Sequence, residues 1–170
     1  FIKMLIDPKI IKIESKNLIG MSVITTPSDQ EATGQLWKSF MPYRNKIKNV
    51  SNDNLYSVQI FPKHTNFKDF NAETPFQKWA AVEVNEIESI PEGMKALNLP
   101  KGEYAIFIHH GPSRNFPKTA QYIFGMWLPN SIYEFDHRPQ FEVMGTEYKG
   151  HDDEDSQEEV WIPIKRKPNY

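Results

Sequence analysis

Glu103-Tyr104-Ala105-Ile106-Phe107-Ile108-His109-His110 runs into Gly111-Pro112-Ser113, and Ala120, Ile123, Phe124 and Trp127 follow. The first run is rich in Ile and Phe, side chains that suit a pleated and largely buried surface, so it reads as a strand. Gly-Pro-Ser breaks it. The next apolar residues fall at i, i+3, i+4 and i+7, the spacing of one helical face. Pro129-Asn130-Ser131 ends that helix, and Phe141 to Met144 and Val160 to Ile164 supply two more strands. An acidic loop, Asp152-Asp153-Glu154-Asp155, joins them.

The same order occurs earlier in the chain. Apolar alternation at Ile11 to Ile13 and Leu18 to Thr25 predicts strand, with Gly20 marking a bulge. Thr26-Pro27-Ser28-Asp29 carries helix-start chemistry. Leu36, Trp37, Phe40 and Met41 then recur at helical spacing up to Pro42. Two strand-like runs follow, Leu55 to Phe61 and Phe76 to Val84, separated by a polar loop holding Pro62 and Pro75. A linker, Ile90-Pro91-Glu92-Gly93, and a turn, Pro100-Lys101-Gly102, lead into the second half. The expected fold is therefore a single α+β domain over residues 1–170, built from two βαββ repeats at about 8–88 and 98–166. A pseudo-twofold relates the repeats. Helices cover one face of an antiparallel sheet, and a ligand cleft is expected on the other.

Strand parity nominates cleft residues. With Val160, Ile162 and Ile164 toward the helices, Trp161 faces away; with Phe141 and Val143 toward the helices, Glu142 and Met144 face away. Trp79, Ala81 and Glu83 share a face. A carboxylate and large rings are thus expected to meet on the helix-free side.

Bulk composition narrows the function classes. The 170 residues are 39% hydrophobic and 13% aromatic, enough to close a core and wall a pocket. A net charge of −2 and a pI near 6.2 give no basic surface for nucleic acid, and Lys165-Arg166-Lys167 reads as a solvated tail. The absence of cysteine excludes disulfides, thiol nucleophiles and Cys-ligated zinc, and fits a cytoplasmic setting. No run approaches the roughly 20 apolar residues of a membrane span. Residues 1–6 are too short for a signal core. Neither a metal nor a cofactor is expected: His109 and His110, as strand neighbours, point to opposite faces, and His151 with its acidic neighbours lacks a calcium-loop pattern. No Gly-x-Ser-x-Gly elbow is present.

Several motifs carry a family resemblance. Ile90-Pro91-Glu92-Gly93-Met94, Leu99-Pro100-Lys101-Gly102-Glu103-Tyr104-Ala105-Ile106-Phe107 and His110-Gly111-Pro112 resemble the central signature of the GyrI-like family. Leu36-Trp37, Ala81-Val82-Glu83-Val84, Trp127-Leu128-Pro129, Phe141-Glu142 and Ile162-Pro163-Ile164 agree in order. The resemblance implies a fold of two strand-helix-strand-strand repeats and the binding of a small, drug-like organic molecule. It also implies that Glu142, set just after Phe141, is the buried glutamate that meets cationic aromatic ligands, and that Tyr56 lines the pocket, although repeat parity puts Tyr56 on the face opposite Glu142. The ligand-contact candidates are Glu142, Trp79, Trp161, Tyr56, Met144 and Phe107. Family regulators add a helix-turn-helix, for which this chain has no room, so the stand-alone branch is the expected comparison. That branch includes hydrolases of strained cyclopropane compounds, for which Glu142 would be catalytic with Tyr56 or Tyr104 polarising the leaving oxygen. It also includes gyrase inhibitors, for which the acidic loop would be a surface determinant. A binding protein is the first expectation and a hydrolase the second.

Overall fold

Alternating β-branched and aromatic residues become nine strands among the described residues, 7–169 of a computed structural model. Residues 1–6, read above as too short for a signal core, lie outside that range. The strands are β1 Lys9–Ile13, β2 Lys16–Thr25, β3 Leu55–Ile60, β4 Phe76–Val84, β5 Lys95–Leu99, β6 Gly102–His110, β7 Tyr133–Phe135, β8 Gln140–Met144 and β9 Gln157–Arg166. All pairings are antiparallel, in the order β1-β6-β9-β8-β3-β4-β2-β5, with β7 added on β9. Read from its two ends, the order is symmetric about the β8–β3 junction. Helix α1, Gln30–Phe40, belongs to the repeat β2-α1-β3-β4; helix α2, Phe116–Tyr122, belongs to β6-α2-β8-β9. The short strands are exchanged, β1 pairing with β6 and β5 with β2, so each half is edged by the strand that precedes the other. Between the predicted linker, residues 90–93, and the predicted turn, residues 100–102, lies an unexpected strand, β5, which the pattern Lys95-Ala96-Leu97-Asn98-Leu99 carries in only three apolar residues.

Local chemistry sets the helix ends. Asp29 caps α1 by accepting from the Ala32 amide at 3.0 Å, and at Pro42 the helix tightens into a 3₁₀ turn, Met41–Lys46. At the start of the second repeat's helix, buried His109 sits between the Thr119 hydroxyl at 2.7 Å and the Pro112 carbonyl at 3.0 Å. One donor and one acceptor suit neutral imidazole, and burial lowers its pKa. After α2 the chain makes a π turn, Ile123–Trp127, before a last helical turn, α3 Leu128–Asn130. In this wider turn Ile123 is fully buried while Phe124, expected on the same face, is 39% exposed, its ring 6.4 Å from that of Phe135.

Two apolar clusters lie under the helices. Ile19, Leu36, Phe40, Ala80 and Val82 pack beneath α1, and Ala105, Phe107, Ile123, Val160, Ile162 and Ile164 beneath α2. A third cluster fills the face without helices. There Leu18, Trp79 and Leu99 of one half join Tyr104, Phe141 and Trp161 of the other. No helix covers these residues, so the sheet must curl for them to be buried together. The concavity expected on this face is thus occupied by the sheet's own side chains.

Gly20 makes no bulge. Its register with β4 is continuous, Gly20 opposite Ala81, and the glycine serves close approach instead: a Cβ there would collide with the Ala80 carbonyl oxygen and lie 2.7 Å from Ala81 Cβ. Gly20→Ala is expected to destabilise the fold by about 1–3 kcal/mol, read from urea unfolding, because backbone on both sides has to shift.

Candidate functional site

The middle of the sheet is where sequence expectation and structure part. Strands β8 and β3 lie between the two helix clusters, and on their helix-bearing face they present polar residues: Gln140 and Glu142 from β8, Ser57 and Gln59 from β3. All four are buried, Glu142 to 8% exposure. Cross-strand register adds Lys78 of β4, opposite Gln59, and β9 carries Glu158 on the same face as Val160 and Glu142. A polar stripe therefore runs along the helix-bearing face between the apolar clusters beneath α1 and α2.

The stripe is hydrogen-bonded across three strands. In the amide orientation that satisfies both neighbours, Gln59 Nε2 donates to Glu142 Oε2 at 2.7 Å while Gln59 Oε1 accepts from Lys78 Nζ. Burial pushes the Glu142 carboxyl above its ordinary range, opposed by the Lys78 charge and the Gln59 hydrogen bond. Burial likewise pushes Lys78 down, opposed by Glu142 and Glu158. Glu158 is raised to about 7, by burial first and by Glu142 next, with Lys78 acting against both. Two carboxyls and one ammonium share a poorly hydrated stripe.

Rings lie at one end of the stripe. Phe61 and Phe76 are the next residues on the same face beyond Gln59 and Lys78. Segment 61–75 is tied to the start of α1 through Ser28, whose amide donates to the Ala72 carbonyl at 3.0 Å and whose hydroxyl donates to Glu73 at 2.9 Å. It also reaches the second half. Phe67 packs edge-on to Phe135 with centroids 4.9 Å apart and stacks on His137 at 5.7 Å, and Phe61 meets Phe67, Phe70 and Phe76 at 5.3–5.7 Å. Phe61 and Phe76 also line an open apolar hollow of about 300 Å³ at the strand ends, with Ile24, Ile60, Pro62 and Pro75.

Glu142 is buried on a strand, as the family resemblance implies. The parity premise for β8 is corrected: Phe141 lies opposite Trp161 and Glu142 opposite Val160, so Phe141 and Val143 face away from the helices and Glu142 and Met144 face toward them. Trp79, Trp161 and Tyr56 are consequently on the other side of the sheet from Glu142. Trp161 stacks on Phe141 at 5.1 Å and donates its indole N–H to Glu159 at 3.2 Å. Tyr56 donates to Glu83 Oε1 at 2.7 Å, a carboxylate also held by Lys16 at 3.4 Å, and burial followed by that bond raises the phenol's pKa. Phe107 sits in the α2 cluster, edge-on to Trp127 at 5.2 Å. Tyr104 also lies on the helix-free face, so neither candidate phenol shares the Glu142 face. The acidic loop folds against Arg114, which pairs with Asp152 at 3.7 Å and Glu154 at 3.1 Å. The residues that sequence reasoning missed are Gln59, Lys78, Glu158 and the rings of 61–76. Their signal was weak: Gln59 shares its strand with Ser57, Lys78 adjoins Gln77, Glu158 sits between Gln157 and Glu159, and four phenylalanines stand in an otherwise polar stretch.

The chain is thus a sheet of two strand-helix-strand-strand repeats with a buried polar stripe between its helix-covered halves. Residues 9–164 match the model of the integron-associated effector binding protein family, and the chain belongs to that family. The transcriptional regulator BrlR of Pseudomonas aeruginosa is 28% identical over 157 residues, covering 92% of this chain and 54% of that protein, so the chain spans about half the length of this curated relative. Among solved structures, SAV2435 bound to tetraphenylphosphonium matches with a TM-score of 0.69 at 14% identity, covering 94% of each chain. The integron cassette protein VCH_CASS2 of Vibrio cholerae matches with a TM-score of 0.63 at 17% identity, covering 94% of this chain and 96% of that one. These likenesses establish the GyrI-like α+β fold. No helix among the described residues is long and apolar enough to cross a membrane.

Proposed function

We propose that this chain binds bulky lipophilic organic cations on the polar stripe between α1 and α2, with Glu142 as the charge anchor and the rings of 61–76 as the wall. The observation that carries this reading is a buried carboxylate on the helix-bearing face beside a cluster of phenylalanines. Ring burial supplies most of the binding free energy, and the carboxylate in a poorly hydrated site selects charge. Phe61 and Phe76, shared by the ring cluster and the apolar hollow, offer a guest π-surface next to the stripe. The ligand of SAV2435, tetraphenylphosphonium, is a cation of this kind and a suitable probe.

Calorimetric titration of the wild type with tetraphenylphosphonium is expected to show saturable binding, and Glu142→Gln to weaken it at least tenfold. Tetraphenylborate, the same shape with the opposite charge, is expected to gain or stay level in Glu142→Gln. Equal losses for both ions would end the charge-anchor reading.

A further inference from the structure

The carboxylate that would meet a cation already has one nearby. Lys78 enters the stripe from β4, hydrogen-bonds Gln59 Oε1, and through the Gln59 amide is coupled to Glu142. Glu158 lies on the same face of the sheet on β9, beside Val160 and Glu142 in register, so its charge opposes that of Glu142 and favours that of Lys78. A buried carboxylate left uncompensated is costly, and the ammonium offsets that cost from within the chain. Lysine suits the task because its charge is compact and its stem flexible, so it can leave for water without disturbing the strand. A guest cation and the Lys78 ammonium are attracted to the same pair of carboxylates and repel each other.

We propose that Lys78 is the site's resident cation, a built-in competitor that a cationic guest must displace and that sets how strongly charged a guest the site accepts. This rests on the binding site proposed above. With Lys78 in place the stripe holds two acids against one base, a formal charge of −1, and accepts a single positive charge. With the ammonium removed, the same stripe offers two negative charges to the guest and the displacement step vanishes. The apparent affinity of a cation then rises by the factor that Lys78 had withheld.

The test compares wild type, Lys78→Met, Lys78→Arg and Glu142→Gln at pH 8.5, where a carboxyl raised by loss of its counter-ion still ionises. Lys78→Met, unbranched and neutral, is expected to bind tetraphenylphosphonium at least tenfold more tightly and tetraphenylborate no better. Lys78→Arg is expected to stay within threefold of wild type. Lys78→Gln replaces the methionine variant if that one folds poorly. A change below twofold for phosphonium in the neutral variant, while Glu142→Gln still loses binding, overturns the role of Lys78 and leaves the anchor standing. If Glu142→Gln loses nothing, the anchor fails, and Lys78 is judged without ligand. In that case ¹³C carboxyl titration of Glu142 should move upward by about one unit or more in Lys78→Met, and an unchanged titration overturns the proposal.

Discussion

Phe141→Ala is expected to cost the protein about 3–5 kcal/mol, a large share of the roughly 5–15 kcal/mol that holds a domain of this size folded. Phe141 is fully buried at the centre of the curled sheet. Its ring stacks on Trp161 at 5.1 Å and lies 5.3 Å from Tyr104 and 5.7 Å from Tyr56. The neighbours come from three different strands, each fixed by its own ladder, so the cavity cannot collapse at little cost. Urea unfolding should show a lower midpoint with an unchanged slope, and Phe141→Leu should recover more than half of the loss. A cost below 1 kcal/mol would mean that the helix-free face is not the packed core described above, and would return Trp79, Trp161 and Tyr56 to candidacy as pocket walls.

The second large effect is electrostatic. Glu158 titrates at about 7 in the folded protein against an ordinary value of 4.5. A carboxyl whose folded pKa is raised binds more protons folded than unfolded between those two values, so stability falls as pH rises through that window. Its favourable contribution is complete below about 4.5 and is gone above about 7. Glu158→Gln removes this residue's share of the dependence and leaves that of Glu142, whose carboxyl is also raised by burial. The variant is expected to be more stable than wild type at pH 8 by about 1–3 kcal/mol, a range reduced from the full linkage value because the side chain is only partly buried. Chemical denaturation at half-unit steps from pH 4 to pH 8 measures it. Parallel curves for the two proteins would remove Glu158 from the buried charge cluster. A guest cation would relieve the same strain by favouring both carboxylates in their charged form, so the pH dependence and the binding chemistry have one origin.

How much of this was readable in advance can be judged element by element. The helix at Gln30–Phe40, with its Asp29 cap and its change at Pro42, follows from residues close in sequence, as do the strands at Leu55–Ile60 and Phe76–Val84. β5 and β7 were not readable. Lys95-Ala96-Leu97-Asn98-Leu99 holds no β-branched or aromatic residue and Tyr133–Phe135 is three residues long, so each is held as a strand by its neighbour across the ladder. Gly20 was legible as special, but its reason, contact with Ala80 and Ala81 across the sheet, required the register.

The candidate site shows the same division more sharply. From the order of its residues alone, the chain determined a doubled strand-helix-strand-strand domain and an isolated carboxylate, Glu142, on an apolar strand. Alternation also determined that Phe141 and Glu142 point opposite ways. Only the tertiary structure decided which of them faces the helices, because β8 is covered on both sides and parity has no sign when neither face is solvent. Pairing with β9 supplied that sign by setting Phe141 opposite Trp161 and Glu142 opposite Val160. It also brought Gln59, Lys78 and Glu158 from three other strands to one carboxylate. Such convergence of long-range neighbours leaves no trace in local sequence.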